Sequence, residues 1–265
     1  MKYYVISDTH GFYTETIKAL KENGFFEDTE PHKLVLCGDM MDRGNEAVKM
    51  QEFMLELLKK DELIFIRGNH EDLFCEFVDE VENIENPNLF YLQNNHQWTN
   101  RTVFTIMQLT GVRDEFAALC RPKDFARKIK NTPFYSELIP ASVNYFETEH
   151  YIFVHGWIPC SLKYSEDKFL FLYKKNSKWR TASDKAWERA RWINGIRAAK
   201  DGAVEKDKTI VCGHYHASYG HSVIEEICSQ SGPDAIHEPY YNDGIIAIDG
   251  WTAVSKTVNC LVLKD

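Results

Sequence analysis

Three short stretches near the amino end carry the residue types that hold metal ions and move protons: Asp8-Thr9-His10-Gly11, Gly38-Asp39-Met40-Met41-Asp42-Arg43-Gly44 and Gly68-Asn69-His70-Glu71. Asp8 and His10 are two apart, so in an extended segment both side chains leave the same face. A hard carboxylate oxygen and an imidazole nitrogen converging in this way suit a divalent ion such as Mn, Fe or Zn. The same pattern fits an N-cap and turn equally well. Asp39, Asp42 and Arg43 offer two carboxylates and a planar guanidinium within five residues, although Asp and Gly are also ordinary turn residues. Asn69 can present an uncharged amide oxygen to a metal, and the neighbouring His70 is placed to donate a proton; a helix cap with a satisfied histidine is the plain alternative.

Each stretch follows a short apolar run and precedes an amphipathic one. Tyr3–Ile6, Leu34–Leu36 and Leu63–Ile66 read as strands. Thr14–Asn23, closed near Gly24, and Ala47–Lys59 have the spacing of helices with one apolar face. The chemistry therefore sits where strands hand over to helices, at the carboxyl ends at which open α/β sheets place their ligands. From residue 74 to about 138 the pattern becomes helical, with a stop expected at Gly111. Ser142–Glu147 and Tyr151–Val154 then read as a hairpin around a turn containing His150, and the second strand runs into His155-Gly156. Thr209–Cys212 leads into Gly213-His214-Tyr215-His216, a long irregular segment covers Glu226 to Asp243, and Ile245–Asp249 and Val258–Leu263 return as strands.

In combination and in this order, Asp-x-His-Gly, Gly-Asp-x-x-Asp-Arg-Gly and Gly-Asn-His-Glu resemble the phosphoprotein phosphatase branch of the calcineurin-like metallophosphoesterases. That branch includes serine/threonine protein phosphatases, the lambda phage phosphatase and the symmetrical diadenosine tetraphosphatases. With the later histidines the resemblance spans most of the chain. Ser7 stands where the first motif commonly has glycine, and Asn100-Arg101-Thr102 lacks the glycines that bacterial relatives often carry there. The resemblance implies an α/β fold with a central β-sandwich flanked by helices and a helical cap insertion, all in a single domain over 1–265.

It also implies two divalent ions, manganese foremost with Fe, Zn, Ni or Mg as alternatives. Asp8 and His10 would hold the first, Asn69, His155 and His214 the second, and Asp39 would bridge both. Attack would come in line from a hydroxide shared by the ions. His70 would protonate the leaving group with Asp42 orienting it, and Arg43 would grip the phosphate. A second phosphate-binding arginine is expected near the tryptophan-rich stretch 187–192, Arg189 by preference and Arg191 as the alternative. Trp187 and Trp192 there read as partly buried on a helix covering the sheet. His216 could contact substrate or support a metal ligand, while His150 and His221 carry no assignment.

The expected function is hydrolysis of phosphomonoesters, phosphoserine and phosphothreonine in proteins first. The alternatives are a symmetrical dinucleoside tetraphosphate hydrolase and an inactive binding module of the same fold. A net charge of -9 argues against a broad basic surface for nucleic acid, and leaves phosphoproteins and small phosphoester or nucleotide substrates as partners. Seven scattered cysteines without a Cys-x-x-Cys pair argue against a disulfide framework or a structural zinc site. The amino terminus lacks the apolar core of a signal peptide and no apolar run reaches membrane-spanning length, so the expected location is the cytoplasm.

Overall fold

The computed structural model describes residues 1–86, 95–166 and 170–265. Its amino-terminal half alternates strand and helix: β1 (Lys2–Ile6), α1 (Tyr13–Glu22), β2 (His32–Cys37), α2 (Ala47–Lys59), β3 (Leu63–Ile66) and α3 (Asn69–Glu82). β1, β2 and β3 run parallel, with Val5 opposite Val35 and Leu36 opposite Phe65. The last strand, β11 (Leu261–Lys264), pairs antiparallel with the free side of β1. A second sheet has the order β4 (Phe146–Glu147), β5 (Tyr151–Phe153), β8 (Thr209–His216), β10 (Ile245–Asp249) and β9 (Tyr240–Asn242), with β5, β8 and β10 parallel. The hairpin of β6 (Cys160–Ser165) and β7 (Leu170–Lys175) stands apart from both.

Period-two alternation joins the two sheets into a sandwich. Tyr3, Val5, Val35, Cys37 and Ile66 point from the first sheet towards Phe153, Val211, Ile246 and Ile248 of the second, and form one buried layer. Their neighbours Tyr4, Ile6, Leu34, Leu36 and Phe65 face the other way, onto α1–α3 and the helices that follow. Burial on both faces explains why these strands read as continuous apolar runs. Each fully buried aliphatic side chain contributes about 1.5–3 kcal/mol, so a charge at Val35 would break both the layer and the strand that delivers Asp39. The outer face of the second sheet, with Ile152, Ile210 and Ala247, packs on Trp157, Trp187 and Ile196.

The helical stretch occupies the expected region, in helices at Asn95–Thr99, Thr102–Thr110, Glu115–Leu119 and Pro122–Lys130. Residues 87–94 within it lie outside the described residues. Gly111 ends the Thr102–Thr110 helix with φ 69°, the left-handed geometry that a glycine cap supplies without steric cost. Several boundaries differ from the sequence reading: the strand expected over Ser142–Glu147 keeps only Phe146–Glu147, the one over Val258–Leu263 is Leu261–Lys264, and two further differences have a clear cause. α3 begins at Asn69 itself, because the Glu71 carboxylate accepts the Gly68 N–H at 2.7 Å and caps the helix from its third residue. β8 continues past Cys212 to His216, because its register with β10 slips between Ala247 and Asp249 and pairing resumes at Asp249–His216. All seven cysteines are free. Among the described residues, no helix is long and apolar enough to cross a membrane.

Candidate metal centre

Parallel strands present their carboxyl ends at one edge, and both sheets turn that edge to the same place. The loops there hold a concentration of unfavourable backbone. Asp8 (φ 50°), His10 (47°), Asp39 (54°), Asp42 (76°), Arg43 (63°) and His214 (66°) are all in the left-handed region that residues with a Cβ avoid. Such strain persists where surrounding contacts over-determine it. Here the first two loops hydrogen-bond directly: Asp8 N–H to Gly38 O (3.1 Å), His10 N–H to Asp39 O (3.0 Å) and Gly11 N–H to Met40 O (2.7 Å). Gly38 is obligatory, since with φ 80° a Cβ there would meet His155 Nδ1 at 2.5 Å. From below, Glu71 accepts the N–H groups of Asp39 (3.0 Å) and Met40 (3.0 Å) as well as that of Gly68. Burial pushes the Glu71 carboxyl up to about 7, against the pull of those three donors. Glu71 is thus both helix cap and buttress of Asp39, a second task that its place in Gly-Asn-His-Glu did not disclose.

The imidazoles are oriented so that lone pairs face inward. His10 Nδ1 bonds the Met41 carbonyl at 2.9 Å and His155 Nδ1 bonds the Cys37 carbonyl at 2.8 Å, which makes each Nδ1 the donor and leaves Nε2 as acceptor. His155 Nε2 then lies 3.2 Å from Asp39 Oδ1 and 2.8 Å from Asn69 Oδ1, three acceptors around one point. His10 Nε2 is 3.9 Å and His70 Nε2 3.8 Å from Asp39 Oδ2. Donor atoms of His10, Asp39 and His70 form one group within 4.8 Å, and those of Asp39, His155 and His214 form another, with Asp39 common to both. Asp8 is outside these groups; its carboxylate accepts the His214 N–H at 3.0 Å and the Ser7 hydroxyl.

Electrostatics points the same way. Burial, then the neighbouring Asp8 and Glu71 charges, raise the Asp39 pKa; burial, then Asp249, raise that of Asp8. Burial pushes His10 and His155 well below the usual imidazole range and His214 down to about 4. Carboxylates that need a cation and imidazoles held neutral are the donor set of a divalent ion, which would reverse the burial penalty on the acids. The residues present therefore fit metal binding.

Asp42, His70 and Arg43 form a chain at the rim of this cluster. His70 Nδ1–H donates to Asp42 Oδ2 at 2.6 Å, and His70 Nε2 accepts from Arg43 at 3.2 Å. Thr102, the first residue of its helix, donates its hydroxyl to the same Asp42 oxygen at 2.8 Å, so the helical insertion reaches the site. Burial raises Asp42 to about 7, and burial followed by the Arg43 charge lowers His70.

Of the expected arginines, Arg43 alone touches this chain. Arg189 is exposed on the Asp184–Ala190 helix. Arg191 is buried and bonds Asp72 (2.8 Å) and Asn144 (2.8 Å) beside a cavity of about 850 Å³ whose lining includes none of the motif residues. Arg101 is exposed and donates to the Arg43 carbonyl at 2.6 Å and to Asn45 Oδ1 at 3.3 Å. His216 Nδ1 bonds Asp249 Oδ2 at 2.7 Å, and its ring stacks on Trp251 with centroids 4.4 Å apart. Burial is the largest influence on Asp249 and would raise it, but the His216 bond and charge, the Trp251 N–H and His10 together hold the carboxyl below its ordinary value. Trp187 is buried, whereas Trp192 is 51% exposed, with its ring 5.8 Å from that of His214.

Comparison with known proteins agrees with this geometry. The family model for calcineurin-like phosphoesterases matches residues 1–241. An asymmetrical bis(5′-nucleosyl)-tetraphosphatase of Geobacillus sp. is 27% identical over 144 residues, 52% of this chain and 53% of that protein. A symmetrical bis(5′-nucleosyl)-tetraphosphatase of Buchnera aphidicola subsp. Schizaphis graminum is 31% identical over 101 residues, 32% of this chain and 36% of that protein. The chain thus spans about half, or less, of the length of these curated relatives. Among solved structures, a cold-active protein tyrosine phosphatase matches all of this chain and 75% of its own with a TM-score of 0.50 and 17% identity, a likeness of fold.

Proposed function

This chain belongs to the calcineurin-like phosphoesterase family, and from that premise we propose that it is a metal-dependent phosphoesterase acting on nucleotides of the dinucleoside polyphosphate class. The observation that carries the choice of substrate is that curated relatives of both sorts, asymmetrical and symmetrical, are named as bis(5′-nucleosyl)-tetraphosphatases. Hydrolysis of phosphoserine or phosphothreonine in proteins, the first expectation from the motifs, needs the same centre and is the second reading.

In this proposal Asp8, His10 and Asp39 would hold one divalent ion, and Asp39, Asn69, His155 and His214 would hold the other, manganese being the first to test. Such ions supply Lewis acidity and an activated water at neutral pH. Arg43 takes the phosphoryl oxygens through its planar fork, and Arg101, bonded to the Arg43 carbonyl, holds that loop in place. Arg189 stays available at the surface as a further cation for a longer phosphate chain. Once phosphate draws the Arg43 guanidinium away from His70 Nε2, that nitrogen is free to hold a proton for the leaving oxygen. The Asp42 carboxylate at 2.6 Å from Nδ1 then favours the imidazolium. Retention of every expected donor argues against an inactive binding module.

The test is a panel of diadenosine tetraphosphate and phosphoserine or phosphothreonine peptides, assayed with Mn²⁺. The dinucleotide should have the higher kcat/KM by at least about tenfold, the scale on which pocket contacts discriminate. Preference for the peptides would replace this reading with the second one, and no turnover of either by metal-loaded protein would reject both.

A further inference from the structure

Four tryptophans lie close together in the sequence around the second sheet, and one behaves differently from the rest. Trp157, Trp179 and Trp187 are 1–2% exposed, while Trp192 is 51% exposed. Its helix ends at Ala190, so Trp192 lies beyond the last turn and is not on the face that packs against the sheet. A single exposed apolar side chain needs no explanation in itself. The location of this one does, because the indole meets the ring of His214, a proposed metal ligand, at 5.8 Å with planes 86° apart. A perpendicular contact covers at most one face of the indole and leaves the other open. Tyr215 flanks His214 on a further side, with centroids 5.4 Å apart. The cationic rim, Arg43 with Arg101, belongs to the other half of the molecule.

We infer that Trp192 is a stacking wall for the base of the substrate, and that this wall selects nucleoside phosphates over phosphoesters without a base. The inference rests on the nucleotide reading for its biological meaning, but the stacking itself is a separate property. A planar base would cover the open face of the indole next to the phosphate-binding centre, and such stacking tolerates any base because every base has a π-face. Phosphoserine and phosphothreonine side chains offer nothing flat to cover it.

Calorimetric titration of the Mn²⁺-loaded protein with α,β-methylene-ADP and with methylenediphosphonate, which lacks the nucleoside, tests this without turnover. The wild type should bind the nucleoside compound more tightly. Trp192→Ala should shrink the ratio of the two affinities by about tenfold, the scale of one base stacked on an aromatic side chain, and Trp192→Phe should keep most of it. An unchanged ratio in Trp192→Ala, with wild-type affinity for methylenediphosphonate as proof of an intact centre, overturns the inference. A wild type with equal affinities overturns it as well. A ratio that depends on Trp192 in a protein inactive on dinucleoside tetraphosphates would sustain the stacking wall and sink the proposed substrate.

Discussion

The two sheets contribute to the site in different ways. The first sheet delivers Asp8, His10, Asp39, Asp42 and Arg43 on two loops tied to one another by backbone hydrogen bonds, with Glu71 buttressing the second, and Asn69 as the first residue of α3. The second delivers His155, bonded to the Cys37 carbonyl, His216, bonded to the Asp249 carboxylate, and His214, with Trp192, Tyr215 and Trp251 beside them. Both sheets supply candidate metal ligands, the arginine and the proton-holding histidine come from the first, and the exposed aromatic surface comes from the second. We propose a division on that basis: grip on the phosphoryl group and proton transfer belong to the first sheet, and choice among phosphoesters to the second.

The most damaging change should be Asp39→Asn. We expect turnover to fall by at least about a thousandfold, since the residue proposed to bridge both ions would lose its charge. Stability should change with it. The Asp39 pKa is raised above 3.8 in the metal-free fold, so its ionised form destabilises that fold increasingly as pH climbs from 3.8 through the raised value. At neutral pH the metal-free Asn variant should therefore melt no lower than metal-free wild type, while Mn²⁺ raises the Tm of wild type only. A similar Mn²⁺-induced rise in both proteins would remove Asp39 from the centre.

A smaller loss, about ten- to a hundredfold in kcat/KM, is expected for Arg43→Lys, which keeps the charge and loses the fork. It sharpens the comparison because the loss should be the same for a nucleotide and for a simple phosphate ester. Should the loss vary with the base as that of Trp192→Ala is expected to, the division of labour between the sheets is wrong.

Motif residues on the first sheet were legible because each lies directly after a strand whose apolar run is plain. The α2 and β3 boundaries, Ala47–Lys59 and Leu63–Ile66, were readable to the residue for the same reason. Contacts that join distant segments were not. Asp249 reads as the end of a strand until a slipped register brings it to His216, and nothing local announces that the exposed Arg101, itself left-handed at φ 66°, bonds the Arg43 carbonyl. Trp192 reads as part of the helix that covers the sheet, but that helix stops at Ala190. Arg191, one residue earlier, is spent on an ion pair with Asp72 of α3, which no local pattern announces.

The edges of the two sheets allow a last and smaller test, of stability alone. On β4 the Glu147 carboxylate is gripped by Arg180 at 2.7 and 2.6 Å and by Lys208 at 2.9 Å. The Arg180 hydrogen bonds are the main cause that holds the Glu147 pKa down to about 2, so its sign is opposite to that of the buried acids on the first sheet. A depressed pKa stabilises the fold fully above the unfolded value of 4.5, and the contribution fades as pH falls from 4.5 towards about 2. Because Arg180 is 38% exposed, water screens the pair and the contribution is about 0.5–1 kcal/mol. Glu147→Gln should lower the Tm slightly at pH 7, and the gap from wild type should narrow at pH 3. If the gap widens in acid, the carboxylate is not the stabilising form on this edge, and the contrast in sign between the two sheets fails.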